Sequence, residues 1–420
     1  MSGDATGAGT SDPRAADWLD AEEARRIMVD GVQPLAAHTR PLLDARGFVL
    51  AEDVVSSVDL PPWDNSAMDG FAVRAQDVRG ASAAAPRTLR VVDDVPAGRF
   101  ASRPVGPREA TRIMTGAPVP GGADGVIRVE HTDGGSGMGG PDARVVVRTD
   151  EDAGRNVRPR GEDVRAGAVV LAKGTVIRPA EIGVAASVGH ATLSVVRRPV
   201  VAVLTSGDEL VHLDGFAEVR AGRRIVSSST YALAASLAEC GMEVRLLGIA
   251  ADRPESLREH LEQAHGCDAV ITSAGISVGV HDHVLGVMRD LRTEIAFWRV
   301  RIRPGSAMAF GRVGALGGIP WFGLPGNPVS TAVCFDLFVR PALLRMAGHT
   351  RIHLPVAPAV LRDDYRAKPG LMLFPRVRLT RDADGTLSAH LTGSQSSGVA
   401  SSLAAADALL AIPADHPGAG

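Results

Sequence analysis

The sequence predicts a multidomain protein of α/β plus β class, organised around a doubly wound α/β domain with smaller β-rich modules on either side. Three observations carry this reading. The chain has 420 residues, too many for one hydrophobic core. From Pro199 onward, apolar runs and amphipathic segments alternate in the order expected of a parallel sheet with crossover helices. Outside that block, short alternating apolar runs are separated by turn formers, which points to small sheets.

Residues 1–17 are rich in Gly, Ser, Ala and Asp and read as a disordered tail. Asp20 and Glu23 have capping-box spacing, and Ala24, Ile27, Met28 and Val32 form an approximate helical stripe. Leu42 to Asp53 fits helix or strand. The paired prolines and turn formers of DLPPWDNSAMDGFAVR, Asp59 to Arg74, predict a loop. Leu89–Val92, Ile127–Val129 and Arg144–Arg148 read as strands of a β module, with Gly134–Gly140 as a hairpin tip. RIMTGAPVPGGAD, Arg112 to Asp124, reads as a structured loop inside it. A helix starts at Pro179 and stops before Gly189.

In the α/β block, strands are expected at Val200–Leu204, Glu243–Ile249, Ala269–Thr272, Ile295–Val300 and Trp321–Leu324. The helices between them are Ser229–Cys240, stopped by Gly241, then Pro254–His265, stopped by Gly266, then Val284–Leu291, with another from about Val329. The last segment, with Leu371–Thr380 and Leu387–Leu391 flanking the turn Asp382–Gly385, reads as a small β domain. No fixed-period repeat is evident.

A formal net charge of −3 and no basic patch set nucleic-acid binding aside. The three cysteines, Cys240, Cys267 and Cys334, lack CxxC spacing, so neither a disulfide framework nor structural zinc is expected and a reducing cytoplasm is. No apolar stretch approaches the roughly 18 residues of a spanning helix, and no basic-then-apolar leader opens the chain, so neither secretion nor membrane insertion is expected.

The candidate chemistry lies at strand ends. TSGDEL supplies Ser206, Gly207, Asp208 and Glu209, and SAGISVGVHD supplies Gly275, Ser277, Gly279 and Asp282. LPGNPVS supplies Pro325, Gly326, Asn327 and Pro328. Small hydroxyl residues, glycines and acids at the carboxyl ends of parallel strands suit a phosphate-bearing ligand with a divalent cation, Mg²⁺ held by Asp208, Glu209 or Asp282. Any one of these acids alone reads more readily as a helix cap or a solvated loop residue, and it is the two such loops at neighbouring strand ends that favour the ligand reading. There is no GxxxxGK[ST] and no GxGxxG opening the first helix, so the phosphate is held in another way. Arg299, Arg301 and Arg303 alternate with apolar residues, which places them on one face of a strand, either toward an anion or toward solvent. His281-Asp282-His283 is a poor transition-metal set, because adjacent strand residues face opposite ways. Ser206 has no evident general base, so a binding role is expected of it.

Together, LPPWDNSAMDGFAVR, RIMTGAPVPGGAD, RPRGEDV, TSGDEL, SAGISVG with Asp282, and LPGNPVS resemble the molybdopterin molybdenumtransferase family (MoeA and the E domain of gephyrin). Six motifs occur in the family's order over roughly residues 20–413. The resemblance implies a discontinuous linker and dimerisation domain (18–60 and 157–195) and an inserted β domain (61–156). It further implies an α/β molybdopterin-binding domain (196–348) and a C-terminal β-barrel domain (349–413). It implies a cytoplasmic homodimer whose cleft is completed by the partner's SAMDG-bearing region. The implied activity is Mg²⁺-dependent cleavage of adenylyl-molybdopterin, with release of AMP and insertion of molybdenum from molybdate into the dithiolene. Other molybdenum cofactor synthesis proteins are candidate partners.

By position, Asp282 resembles the principal catalytic acid and Ser277 shares its loop, with Arg303, Asp163 and Glu181 as further catalytic candidates. Asp59, Thr115, Arg158, Pro325 and Pro328 match cleft-lining positions. Arg376 and the serines of GSQSSGVASS, Ser397 and Ser401 among them, resemble oxyanion contacts. Two departures stand out. Where the family usually reads KPGKP this chain has Arg303-Pro304-Gly305-Ser306-Ala307, and Ser227 stands where the family usually has an acid. A molybdopterin-binding or scaffold paralogue without efficient insertion is the alternative these departures support. The related adenylyltransferase, which usually reads GGTG where this chain reads GISVG, is the weaker one.

Overall fold

The computed structural model describes residues 18–137, 140–276, 283–365 and 370–416. The expected tail at 1–17, part of the Gly134–Gly140 tip, and Ser277, Gly279 and Asp282 lie outside the described residues. The chain forms two compact units, one of Met1–Ala51, Gly174–Arg178 and Leu193–Gly420, the other of Glu52–Lys173 and Pro179–Thr192.

Helix α1 (Ala21–Asp30) begins where Asp20 accepts a hydrogen bond from the Glu22 N–H at 2.9 Å. The reciprocal half of the expected capping box is not made, because Glu23 pairs with Arg26 along the helix. Leu42 to Asp53 is neither a helix nor a strand throughout. It holds a 3₁₀ turn at Leu43–Ala45, followed by isolated bridges at Val49 and Leu50.

The second unit is built on a five-stranded sheet of β1 (Gly70–Val73), β2 (Arg87–Val95), β3 (Glu109–Ile113), β4 (Gly125–Arg128) and β5 (Arg144–Val147), in the order β4-β1-β3-β2-β5. Two expected loops are corrected here. The GFAV end of the Asp59–Arg74 stretch is the buried strand β1, flanked on both sides, and Arg112-Ile113 closes β3. Four apolar or small residues wedged between strands gain two ladders of backbone hydrogen bonds, which outweighs the turn-forming character of the residues before them. Helix α2 (Pro179–Ser187) belongs to the same unit and starts at the expected proline.

The first unit is organised by a six-stranded sheet. Its elements in chain order are β6 (Val200–Ser206), α3 (Ser228–Glu239), β7 (Glu243–Ala250), α4 (Pro254–Glu262), β8 (Ala269–Ser273) and α5 (Val284–Asp290), then β9 (Thr293–Trp298), β10 (Ala309–Val313) and β11 (Ile319–Leu324). Strands lie in the order β7-β6-β8-β11-β10-β9. The first four are mutually parallel, and β10 and β9 extend the sheet antiparallel. Alternation along the strands sends side chains to two cores. Val201, Val203, Ala269 and Ile271 pack with Met28 of α1 and with Leu233 and Leu237 of α3. Ala202, Leu204 and Val270 pack with Leu257 and Leu261 of α4 and Val287 of α5. Each such Val, Leu, Ile or Met side chain contributes about 1.5–3 kcal/mol through burial. The chain after β11 runs into α6 (Pro328–Cys334), a π turn at Phe335–Val339 and α7 (Arg340–Met346).

The C-terminal module is a sheet of β12 (Val360–Leu361), β13 (Arg376–Arg381), β14 (Leu387–Leu391) and β15 (Ala408–Leu409), in the order β12-β14-β13-β15. It is tied to the loop after β9 by a short parallel pairing of Ile302–Arg303 with Met372–Leu373.

Candidate functional site

The carboxyl ends of β6, β8 and β11 lie side by side, with Thr205 opposite Ser273 and Ser273 opposite Leu324. Such ends form the ligand crevice of open α/β sheets. Each strand turns away through small residues. Gly275 has φ +71°, and a Cβ there would sit 2.5 Å from Val284 Cγ2 and 3.2 Å from Ser206 Oγ, so both conformation and space require glycine. Ala274, at φ +81°, is held in the same left-handed region by its N–H, which donates to the Leu324 carbonyl at 3.0 Å. The Pro325 carbonyl accepts from Ser273 Oγ at 3.2 Å and from Thr331 Oγ1 at 2.6 Å, which fixes the PGNP turn.

Two adjoining lobes open at this end of the sheet, sharing Ala307, Pro325 and Asn327. The first, about 410 Å³, is lined by Ser206, Glu209, Ser227, Gly275 and Pro328 among others. Ser206 Oγ is buried and has no hydrogen-bond partner among the described residues. A buried hydroxyl in that state costs about 1–3 kcal/mol until something pairs with it. Beside it runs a buried chain of hydroxyls, Thr205 Oγ1 to Thr230 Oγ1 at 2.7 Å and Thr230 Oγ1 to Ser227 Oγ at 2.8 Å. The acids after β6 divide. Glu209 lines the lobe, whereas Asp208 exchanges hydrogen bonds with Asp252, its Oδ1 accepting the Asp252 N–H at 3.2 Å and its own N–H reaching Asp252 Oδ2 at 3.3 Å. Among the described residues, no three His, Cys, Asp or Glu side chains gather around one point. The oxygen donors on this wall, Glu209 and Ser206, are of the hard class that Mg²⁺ accepts.

The second lobe, about 910 Å³, is lined by Trp18, Arg303, Ser306, Tyr365, Gln395 and Ser397 among others. Its described lining carries one guanidinium, several hydroxyls and amides, and no carboxylate. That composition favours an anion. Gly305, at φ +110°, presses against Cys334, whose Sγ donates to the Gly305 carbonyl at 3.4 Å. Burial raises the Cys334 thiol far above its ordinary value, so it stays protonated. Ser401 begins a short helix at Ser401–Ala404 and is not among the lining residues.

The expected arginine face is corrected. Strand β9 ends at Trp298, and Arg299 takes φ +80°. A left-handed residue ends the two-residue alternation, so Arg299, Arg301 and Arg303 do not share a strand face. Arg303 lines the second lobe, while the Arg299 guanidinium stacks on Trp298 at 4.5 Å and on Trp18 at 5.2 Å.

Arg376 is 1% exposed and gives its guanidinium to the protein. It donates to Ser402 Oγ and to the carbonyls of Ser394, Gln395 and Ser396, at 3.1–3.2 Å. Burial pulls its pKa below the ordinary arginine value. Arg376 therefore shapes the loop that brings Gln395 and Ser397 to the lobe and does not itself line it.

The remaining candidates belong to the second unit, where three distant motifs converge. Asn65 and Ser66 pair with Arg158 and Val157, and Gly116 N–H donates to the Ser66 carbonyl at 2.8 Å. Leu60 N–H donates to the Val164 carbonyl at 2.7 Å, and Asp163 N–H to the Leu60 carbonyl at 3.0 Å. Asp59 accepts from the Ala166 N–H and from Arg160 Nε, which lowers its carboxyl pKa. Thr115 gives both N–H and Oγ1 to Asp69, at 2.7 and 2.8 Å. Asp163 is exposed, and Glu181 is buried within α2. Sequence reasoning missed Trp18, Tyr365 and Gln395. Trp18 had one signal, a lone aromatic at the edge of a small-residue tail.

Family models match three stretches of the chain. The MoeA N-terminal region (domain I and II) matches residues 19–189, a probable molybdopterin binding domain residues 202–345, and the MoeA C-terminal region (domain IV) residues 358–419. The chain is 37% identical over 400 residues to molybdopterin molybdenumtransferase 2 of Mycobacterium tuberculosis (strain CDC 1551 / Oshkosh), covering 94% of this chain and 95% of that protein. It is 32% identical over 404 residues to molybdopterin molybdenumtransferase of Staphylococcus aureus (strain COL), covering 95% and 93%. Among solved structures it is similar to the molybdopterin biosynthesis moeA protein of Pyrococcus horikoshii OT3, with TM-score 0.81, 30% identity and coverage of 96% and 97%.

Proposed function

The chain belongs to the MoeA family of molybdopterin molybdenumtransferases, transferases of molybdenum cofactor biosynthesis, and on that premise we propose that it cleaves adenylyl-molybdopterin, releases AMP and inserts molybdenum from molybdate into the dithiolene. The observation that supports this reading most is the pair of adjoining lobes at the strand ends. Among the described residues, a hydroxyl-rich lobe with one acid meets a lobe with one guanidinium and no acid, across Ala307, Pro325 and Asn327. A substrate with a nucleotide-linked phosphate at one end and an oxyanion-receiving group at the other suits such a pair.

In this proposal the first lobe takes the pterin phosphate, held by Ser206 Oγ and by backbone N–H groups of the Gly275 turn. Glu209 and Asp282 would hold Mg²⁺, which supplies charge neutralisation on the pyrophosphate oxygens. Asp282 and Ser277 are the catalytic pair by family position. Arg303, with Ser306 and Ser397, receives molybdate in the second lobe. Asp59, Thr115, Arg158, Asp163 and Glu181 are assigned to the cleft of a partner subunit in a cytoplasmic homodimer. The division into linker, inserted β, molybdopterin-binding and C-terminal domains, with the boundaries given above, is part of the same proposal.

Purified protein given adenylyl-molybdopterin, molybdate and Mg²⁺ tests this. AMP release above a protein-free control is expected. The second reading, a molybdopterin-binding or scaffold protein, is favoured by Ser306 in place of a lysine and by Ser227, which is committed to the buried hydroxyl chain. Tight molybdopterin binding without AMP release decides for it.

A further inference from the structure

We propose that Trp18 is a positioning residue for the anion-binding lobe, acting through a clamp on Arg299; this rests on the molybdate reading of that lobe. Arg299 occupies a backbone region that residues with a Cβ enter at a cost. Two indoles flank its guanidinium. Its guanidinium lies 4.5 Å from the Trp298 ring centroid and 5.2 Å from that of Trp18, within the range of favourable cation–π contact.

The backbone around the clamp is tied on both sides. Leu19 N–H donates to the Arg299 carbonyl at 3.2 Å, and Arg301 N–H returns to the Leu19 carbonyl at 2.8 Å. Arg299 N–H reaches the Met308 carbonyl at 2.8 Å, and Val300 N–H reaches that of Ser306 at 3.0 Å. Residues 18–19 thus lie as an added rail beside the 299–308 loop. The tip of that loop, Arg303 to Ala307, is a wall of the second lobe, and Trp18 lines the same lobe. Trp18 stands one residue before the family-matched region, which begins at residue 19. Its contribution therefore comes from a position outside the matched stretch.

With Trp18 removed, Arg299 keeps one stacking partner and the loop loses the indole that backs it. Arg303 and Ser306 would then sample more orientations, and molybdate would have to order them on binding. The loss falls on saturation by the anion more than on turnover.

The test uses full-length W18A and W18F beside the parent. AMP release is followed against molybdate concentration, and amide hydrogen exchange of residues 299–308 is measured without substrate. W18A is expected to raise half-saturating molybdate about fivefold, more than it lowers kcat, and to speed exchange in the loop; W18F is expected to recover most of both. Unchanged exchange and unchanged saturation in W18A would overturn the clamp. Faster exchange throughout the chain would assign Trp18 a general structural role and overturn it equally. Absence of AMP release by the parent would instead defeat the insertase reading, and the exchange measurement would still decide the clamp.

Discussion

Trp298 donates its indole N–H to the carbonyl of Ile276 at 2.9 Å. Ile276 lines the first lobe, and the face of Trp298 carries Arg299, which precedes the loop walling the second. One side chain therefore ties the two lobes through a hydrogen bond on one side and a stacked cation on the other. W298F keeps a smaller aromatic face and removes the donor. It is expected to lower stability by about 1 kcal/mol, from the lost bond, and to weaken both substrates' saturation of AMP release. Urea unfolding and steady-state kinetics check the two effects separately.

Replacing Ser206 isolates the unpaired hydroxyl. In the free protein Ser206 Oγ is buried without a partner among the described residues. S206A should therefore leave stability unchanged or raise it by about 1 kcal/mol. The same change should weaken binding of the phosphate-bearing substrate, because a donor to it is lost. Thermal unfolding and molybdopterin titration check the opposite signs, and a destabilised variant with normal affinity would refute the assignment.

D282N removes a charge with little change in volume. Folding, read by circular dichroism and the unfolding midpoint, is expected to stay intact while AMP release falls by at least about 10²-fold. Equal turnover by variant and parent would remove Asp282 from the mechanism.

Arg376 is a structural cation in a nest of neutral acceptors. R376A would strand the carbonyls of Ser394, Gln395 and Ser396 and is expected to cost about 2–4 kcal/mol. R376K restores charge without the planar fork and should recover only part of that stability. Urea midpoints of the two variants decide this, and parent-like stability in R376A would contradict it.

A pH effect follows from His349, which ends α7 with its N–H on the Leu344 carbonyl at 2.9 Å. Burial, with the Arg340 guanidinium adding to it, holds the imidazole below its ordinary 6.5. The folded pKa is depressed, so the unfolded chain takes the proton first as pH falls. The contribution is full above the unfolded value and is lost as pH drops below it toward the folded one. H349Q should lose less stability than the parent as pH falls below the ordinary imidazole value of 6.5, as read from urea midpoints.

The sequence by itself determined the α/β domain. Val200–Leu204, Glu243–Ile249 and Ala269–Thr272 fall within observed strands that run at most two residues longer. The central strands β6 and β8 are buried on both faces and so are apolar runs, the edge strand β7 is part-exposed and carries Glu243 and Arg245, and glycine or proline marks the helix ends between them. The motifs at the strand ends were legible for the same reason, since Gly275 and the PGNP turn have few substitutes. Tertiary structure alone decided the rest. Gly70–Val73 became a strand because two neighbours offered it hydrogen bonds. The alternating arginines lost their common face because Arg299 takes a left-handed φ, with its guanidinium against two indoles, one of them from the N-terminal segment. Asp208 left the lobe wall because Asp252, on the loop after β7, supplied it a partner. Each outcome depends on a group distant in the chain, and local composition carries no record of which distant group arrives.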